Sequence, residues 1–172
     1  MGEFSPIFCW RNILIDFYTI DSAYLDFLRQ HEQRIPLTTY PAHEKFFCGV
    51  VLNINGVNYF APVSHYNQPN RTTFVIKDKN DQKILSSVRL NYMFPALPSV
   101  VQRLDIKQLY KKDPKYAVLV TKELRYCSRH ESDLRNMAMS VYRIGCNPNH
   151  VLHQLCCDFS KLESVYKSYL SN

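Results

Sequence analysis

Glycine is scarce in this chain, with four residues in 172. A phosphate-cradling loop needs glycines at fixed spacing, so nucleotide hydrolysis on such a loop is excluded. No apolar run approaches the roughly 20 residues that a membrane-spanning helix needs. The opening Ile7-Phe8-Cys9-Trp10 is too short for a signal-peptide core, and no small-residue cleavage site follows it. No membrane partner is therefore expected. A Cys-x-x-Cys knuckle is also missing, although the chain holds six cysteines: Cys9, Cys48, Cys127, Cys146, Cys156 and Cys157. They form no small-domain disulfide framework, and free thiols in a reducing cytoplasm explain them better than bridges do. Neither a nucleophile elbow nor a papain-like cysteine context is present, which argues against a Cys–His hydrolase.

Acidic residues are outnumbered, 15 against 21 basic, giving a net charge of +6 and a sequence pI of about 9.0. Such a surface attracts polyanions, nucleic acid first among them. There is one Trp against twelve Tyr. Tyrosine is amphipathic and serves equally as a base-stacking surface or as a half-buried core edge. Hydrophobic residues at 46% and charged residues at 21% describe an ordinary globular chain. Residues 1–12 read as a leader or added remnant, and 13–172 as one domain.

Along that domain, Ile13 to Ile20 is rich in β-branched and aromatic residues and predicts a strand. Asp21 or Ser22 then caps a helix to about His31, with Tyr24, Leu25 and Leu28 at helical spacing. The clearest local signal is Phe46 to Ile54, Asn55-Gly56, then Val57 to Pro62. Asn-Gly favours positive φ at both central positions, so these are two strands of a tight hairpin. Strands are also expected over Thr72 to Ile76 and Lys83 to Phe94. Beyond Val100 the period changes to short helical or turn structure, then a helix from Pro114 to Arg129 and another from Ser132 or Asp133 to Ile144. Pro148 to Cys156 and Phe159 to Tyr169 complete the helical half. The class is α+β.

Four segments resemble the ToxN/AbiQ family of type III toxin–antitoxin systems: Phe17-Tyr18-Thr19-Ile20 with Tyr24, Lys45-Phe46-Phe47-Cys48-Gly49-Val50, Tyr59-Phe60-Ala61-Pro62-Val63-Ser64, and Val88-Arg89-Leu90-Asn91-Tyr92-Met93-Phe94-Pro95. Their order and spacing carry the likeness from about Ile13 to Tyr169. The resemblance implies a compact, bent antiparallel β-barrel core related to the Kid/MazF toxins, with helices mainly C-terminal. It implies metal-independent cleavage of single-stranded RNA at a short, adenine-rich motif, leaving 2′,3′-cyclic phosphate and 5′-hydroxyl ends. It also implies inhibition by a pseudoknot-forming repeated RNA antitoxin in ring-like assemblies. Substrates would be cellular and phage messages, and the outcome growth arrest and abortive infection.

Cleavage by the RNA's own 2′-hydroxyl needs in-line positioning, proton transfer at both oxygens and donors for the charged phosphorane. No cofactor enters this scheme. Lys45 matches the family's lysine before the strand and would stabilise the phosphorane or the leaving oxygen. Ser64 would bond the phosphate or the 2′-hydroxyl. His65 departs from the family pattern, where a second hydroxyl residue is frequent, and an imidazole titrates where a serine does not. Tyr24 matches a family tyrosine and would contact base or phosphate. Arg71, Arg89, Lys111, Lys112 and Arg135 are candidate phosphate contacts, and Tyr66 and Tyr92 candidate stacking platforms. Two rival readings stand beside this one. A zinc site could form from Cys146, His150, His153, Cys156 and Cys157, though the missing knuckle disfavours it. A non-catalytic RNA- or DNA-binding module would explain the charge and the aromatics equally well.

Overall fold

The computed structural model describes residues 14–37, 43–65 and 68–171. The leader expected at 1–12 and the stacking candidate Tyr66 lie outside them. The first strand, β1 (Asp16–Ile20), leads into α1 (Ser22–His31), where the Asp21 carboxylate accepts from the Ala23 N–H at 2.8 Å. The hairpin forms as expected from β2 (Phe47–Ile54) and β3 (Val57–Ser64). Asn55 and Gly56 sit at φ 51° and 81°, the primed turn that matches strand twist. After β4 (Thr73–Lys77) come β5 (Ile84–Arg89), the short β6 (Phe94–Pro95) and β7 (Val101–Arg103).

These seven strands make one antiparallel sheet in the order β4-β5-β3-β2-β1-β7, with β6 also on β3. One edge of β3 is shared, since Tyr59 and Phe60 face β6 while Val63 and Ser64 face β5. A register shift between Gly49 and Leu52 bends the sheet further. The pairing runs as an open path, so the described strands are not a closed barrel. Helices α2 (Ile106–Lys112), α3 (Pro114–Arg129), α4 (Glu131–Gly145) and α5 (Phe159–Val165) follow. Phe17, Phe47, Tyr59, Phe60, Phe94 and Phe159 are fully buried between sheet and helices. Each such ring adds roughly 1.5–3 kcal/mol of burial.

Four expectations need correction. The strand predicted over Lys83 to Phe94 breaks at a 3-10 turn, Leu90–Tyr92, because Asn91 turns away from the ladder. Its Nδ2 donates to Leu155 O at 3.0 Å and its carbonyl accepts from Cys157 N at 2.8 Å. Val101–Arg103 pairs with β1 instead of coiling. Pro148 to Cys156 is not a helix but turns with a 3-10 segment, His153–Leu155. There Asn147 Oδ1 and His150 Nδ1 accept from the Asn149 and Leu152 N–H groups, an alternative to helical bonding. The last predicted helix also shortens, passing at Tyr166 into 3-10 structure.

Candidate functional site

Antiparallel pairing fixes which residues of the hairpin meet. Phe47 lies opposite Pro62, Cys48 opposite Ala61, and the Val63 N–H donates to Phe46 O at 3.3 Å. One further step of that register sets Lys45 across from Ser64. On the other side of β3, Ser64 pairs with Ser87, whose hydroxyl donates to Ser64 O at 3.5 Å. Side chains alternate along a strand. Lys45, Ser64, Ser87 and Arg89 therefore share one face at the end of three adjacent strands. Burial, and after it the Arg89 guanidinium, lower the Lys45 ammonium from its ordinary value. Arg89 lies over the Tyr92 ring at 4.8 Å.

Arg89 and Tyr92 also line a pocket of about 580 Å³, within the roughly 300–1,000 Å³ span of small-ligand pockets. Arg71 lines it too, so three of the predicted RNA contacts converge there. Sequence reasoning missed Arg34, Asn70, Asn91 and Gln154, which line it together with Thr72, Leu152 and Leu155. They come from separate segments held together by specific bonds. Arg34 donates to Glu32 and to Cys156 O, and the Asp158 N–H donates to Glu32 Oε2 at 2.9 Å. Those contacts tie the end of α1 to the 151–158 segment. One guanidinium over an aromatic ring, two more at the wall and amide side chains beside them suit a phosphate carrying a base.

The other candidates lie elsewhere. Tyr24 is fully buried, and its hydroxyl donates to Pro95 O at 2.7 Å. Burial pushes that hydroxyl's pKa far up, and the ring packs edge-on against Tyr169. This corrects its expected contact with base or phosphate, which a sealed side chain cannot make. Arg135 is committed internally, to Glu131 at 2.8 Å and to Val50 O at 2.6 Å, so it supports α4 and does not face the groove. Lys111 is exposed on α2, while Lys112 lines a second pocket of about 550 Å³. In that pocket His43 stacks on Tyr116 at 3.7 Å and 7°, with Nε2 3.6 Å from Asp113 Oδ2. The Tyr116 hydroxyl is pushed up to about 12 by burial, Glu123 and Asp113. His65 is exposed one residue beyond β3 and, by alternation, leaves on the face opposite Ser64.

Among the described residues no group of three or more His, Cys, Asp or Glu side chains is arranged to hold a metal ion. The five described cysteines are free thiols. No helix among the described residues is long and apolar enough to cross a membrane.

The geometry can be set beside known proteins. The sequence profile described as toxin ToxN, type III toxin–antitoxin system, matches residues 16–167. The chain is 29% identical over 161 residues to the endoribonuclease ToxN of Bacillus thuringiensis subsp. kurstaki, covering 89% of this chain and 83% of the relative. It is 26% identical over 180 residues to the endoribonuclease AbiQ of Lactococcus lactis subsp. lactis, covering 94% of each. A solved structure superposes with a TM-score of 0.84 and 28% identity, over 93% of this chain and all of the other. That structure comes from work on a bacterial type III system whose toxin is selectively inhibited by a non-coding RNA pseudoknot.

Proposed function

From the premise that this chain belongs to the ToxN family of type III toxin–antitoxin toxins, we propose how its residues cut RNA. The protein is an endoribonuclease, and its partner is an inhibitory non-coding RNA. The observation that carries the site is the hairpin register at Phe47↔Pro62, which carried two residues further sets Lys45 across from Ser64, with Arg89 leading from there into the basic pocket. The substrate phosphodiester lies over Lys45 and Ser64, and a neighbouring nucleotide enters the pocket between Arg71, Arg89 and Tyr92. Lys111 and Lys112 contact phosphates further along the strand.

The 2′ oxygen closes on phosphorus as its proton passes to a water molecule at the groove rim, because His65 leaves on the other face of the sheet. The bond from phosphorus to the 5′ oxygen then breaks. Lys45, whose ammonium gives up its proton more readily than an exposed lysine, protonates that oxygen. Ser64 bonds a phosphate oxygen, and Arg89 stabilises the charge on the phosphorane. The products are a 2′,3′-cyclic phosphate and a 5′-hydroxyl, and no metal or other cofactor takes part. We read the substrates as adenine-rich single strands in cellular and phage messages. Their cleavage halts growth and aborts infection.

The inhibitory RNA is repeated and pseudoknot-forming, occupies the same groove, and closes ring-like assemblies with the toxin. Free buried thiols support a cytoplasmic location, where these RNAs are found. The Kid/MazF-like barrel kinship belongs to this reading as well, supported by the bend that gives β3 two partners along one edge.

The test is growth arrest on induced expression, together with cleavage of RNA in EDTA. Ser64→Ala and Lys45→Ala are each expected to relieve arrest and to slow cleavage roughly 10²–10³-fold. Full toxicity in both variants ends the site assignment. Intact RNA after incubation with the wild-type chain ends the enzymatic reading and leaves a binding module.

A further inference from the structure

Glu32 caps the C-terminus of α1, where its N–H donates to Leu28 O at 2.9 Å and its side chain turns inward, 9% exposed. A carboxylate at that depth is stable only when donors surround it. Glu32 has three. Its Oε1 accepts from the Arg34 N–H at 3.0 Å, and its Oε2 accepts from the Asp158 N–H at 2.9 Å and from Arg34 Nη1 at 3.4 Å. Arg34 Nη1 also donates to Cys156 O. Both side-chain bonds of Arg34 thus leave from one nitrogen. A guanidinium carries five N–H donors, and the three on Nε and Nη2 have no partner among the described residues. Those two nitrogens form an edge that can hold a phosphate by two parallel bonds. The Arg34 side chain is 42% exposed and lines the pocket of about 580 Å³ beside Arg71 and Arg89. Among the described residues of that wall none is acidic.

We propose that Arg34 binds an RNA phosphate at this pocket and that Glu32 is its positioning residue, holding the guanidinium by Nη1 so that the Nε–Nη2 edge meets the strand. This rests on the reading of the pocket as an RNA site. A loose arginine gives up rotamer freedom when it binds, whereas one fixed beforehand does not. The bond to Glu32 fixes Arg34 before RNA arrives. Holding the chain together does not by itself account for the carboxylate. Asn91 ties down the 151–158 segment independently, with Nδ2 donating to Leu155 O at 3.0 Å and its carbonyl accepting from the Cys157 N–H at 2.8 Å. The two backbone N–H donors on Glu32 need only a neutral acceptor. Arg34 is the partner for which a charge matters.

Charge alone predicts the opposite sign. Glu32 is a negative group beside a site for a polyanion, so its removal should tighten RNA binding. A positioning role predicts weaker binding on the same change, although the pocket becomes more positive. The direction of one measurement therefore separates the two.

The test measures the affinity of the full chain, made by cell-free synthesis, for an RNA oligonucleotide with a 2′-deoxy residue at the cut. Glu32→Gln keeps the side chain's size and is expected to weaken binding roughly 2–10-fold. Arg34→Ala, an exposed change, is expected to weaken it roughly 10–100-fold. It should also reduce the slope of log affinity against log salt by about 0.7. With Arg34→Ala already in place, Glu32→Gln should weaken binding no further. In cleavage assays Glu32→Gln should raise KM and leave kcat. Tighter or unchanged binding in Glu32→Gln overturns the positioning role. So does an equal loss in the Arg34→Ala background, because Glu32 would then act through the 151–158 segment. Melting is followed for every variant. Should Glu32→Gln fail to fold, Glu32→Asp keeps the charge and draws the carboxylate back by one methylene, with the same loss expected and the same results overturning it. If Arg34→Ala binds like the wild-type chain while Arg71→Ala loses slope, the pocket takes RNA and the proposal alone falls. If neither arginine changes the slope, the reading of the pocket falls and the proposal with it.

Discussion

A tyrosine on a helix facing a sheet has one polar atom to place, and the partner of that atom decides what the residue does. Tyr24 gives its hydroxyl to Pro95 O inside the molecule. Tyr24→Phe is accordingly expected to lose about 1 kcal/mol, the ordinary worth of one internal hydrogen bond. Melting should fall by roughly 2–4 °C, with RNA cleavage unchanged. Cleavage lost without a loss of melting temperature would return Tyr24 to the site. Helical spacing put Tyr24 on the inward stripe with Leu25 and Leu28, but spacing does not distinguish a ring that seals a core from one that rims a groove. Lys45 and Ser64 were legible through the family resemblance, not through the turn. The register at the Asn-Gly turn would set Ser64 opposite Phe47, and the irregularity between Gly49 and Leu52 shifts it by two residues, which brings Lys45 across from Ser64.

Elements were readable where their ends carry chemistry. Asp21, Asp113 and Asp158 cap α1, α3 and α5 through their carboxylates, and Pro114 opens α3. Three-residue β7 has no such mark, and Val101 and Leu104 imitate helical spacing by chance. The 147–156 segment shows the opposite failure, apolar spacing without a helix, because Asn147 and His150 take the backbone N–H groups for themselves. Gly145, the last residue of α4, poses a contest between local and tertiary terms. Helix propensity favours alanine there by about 1 kcal/mol. A Cβ at this position would run into the Phe159 ring of α5 and lie 3.2 Å from Cys156 Cβ. Overpacking of this kind typically costs about 1–3 kcal/mol, so the steric term should win. Gly145→Ala is expected to lower the midpoint of thermal or urea unfolding, and a raised midpoint would show that α5 can shift aside.

At the scale of the whole molecule, the net charge of +6 says only that polyanions are attracted. The fold decides which cations do the attracting. Arg34, Arg71 and Arg89 belong to stretches 18 to 55 residues apart in the sequence, and they share one pocket because the end of α1, the strand preceding turn and the end of β5 converge there. No pattern within any one of those stretches announces the convergence, and Arg34, Asn70, Asn91 and Gln154 stayed invisible for that reason. Arg135, by contrast, looked like any other exposed cation in the sequence yet spends its guanidinium on Glu131 and Val50 O. Counterion release separates the two kinds of arginine. Each phosphate contact to single-stranded RNA contributes about 0.7 to the slope of log affinity against log salt. With a cleavage-resistant oligonucleotide bearing a 2′-deoxy residue at the cut, Arg71→Ala is expected to reduce that slope by about 0.7. Arg135→Gln should leave the slope alone and lower the melting temperature instead. An unchanged slope in Arg71→Ala would take the RNA out of this pocket, and with it the path from Lys45 and Ser64 into the basic groove.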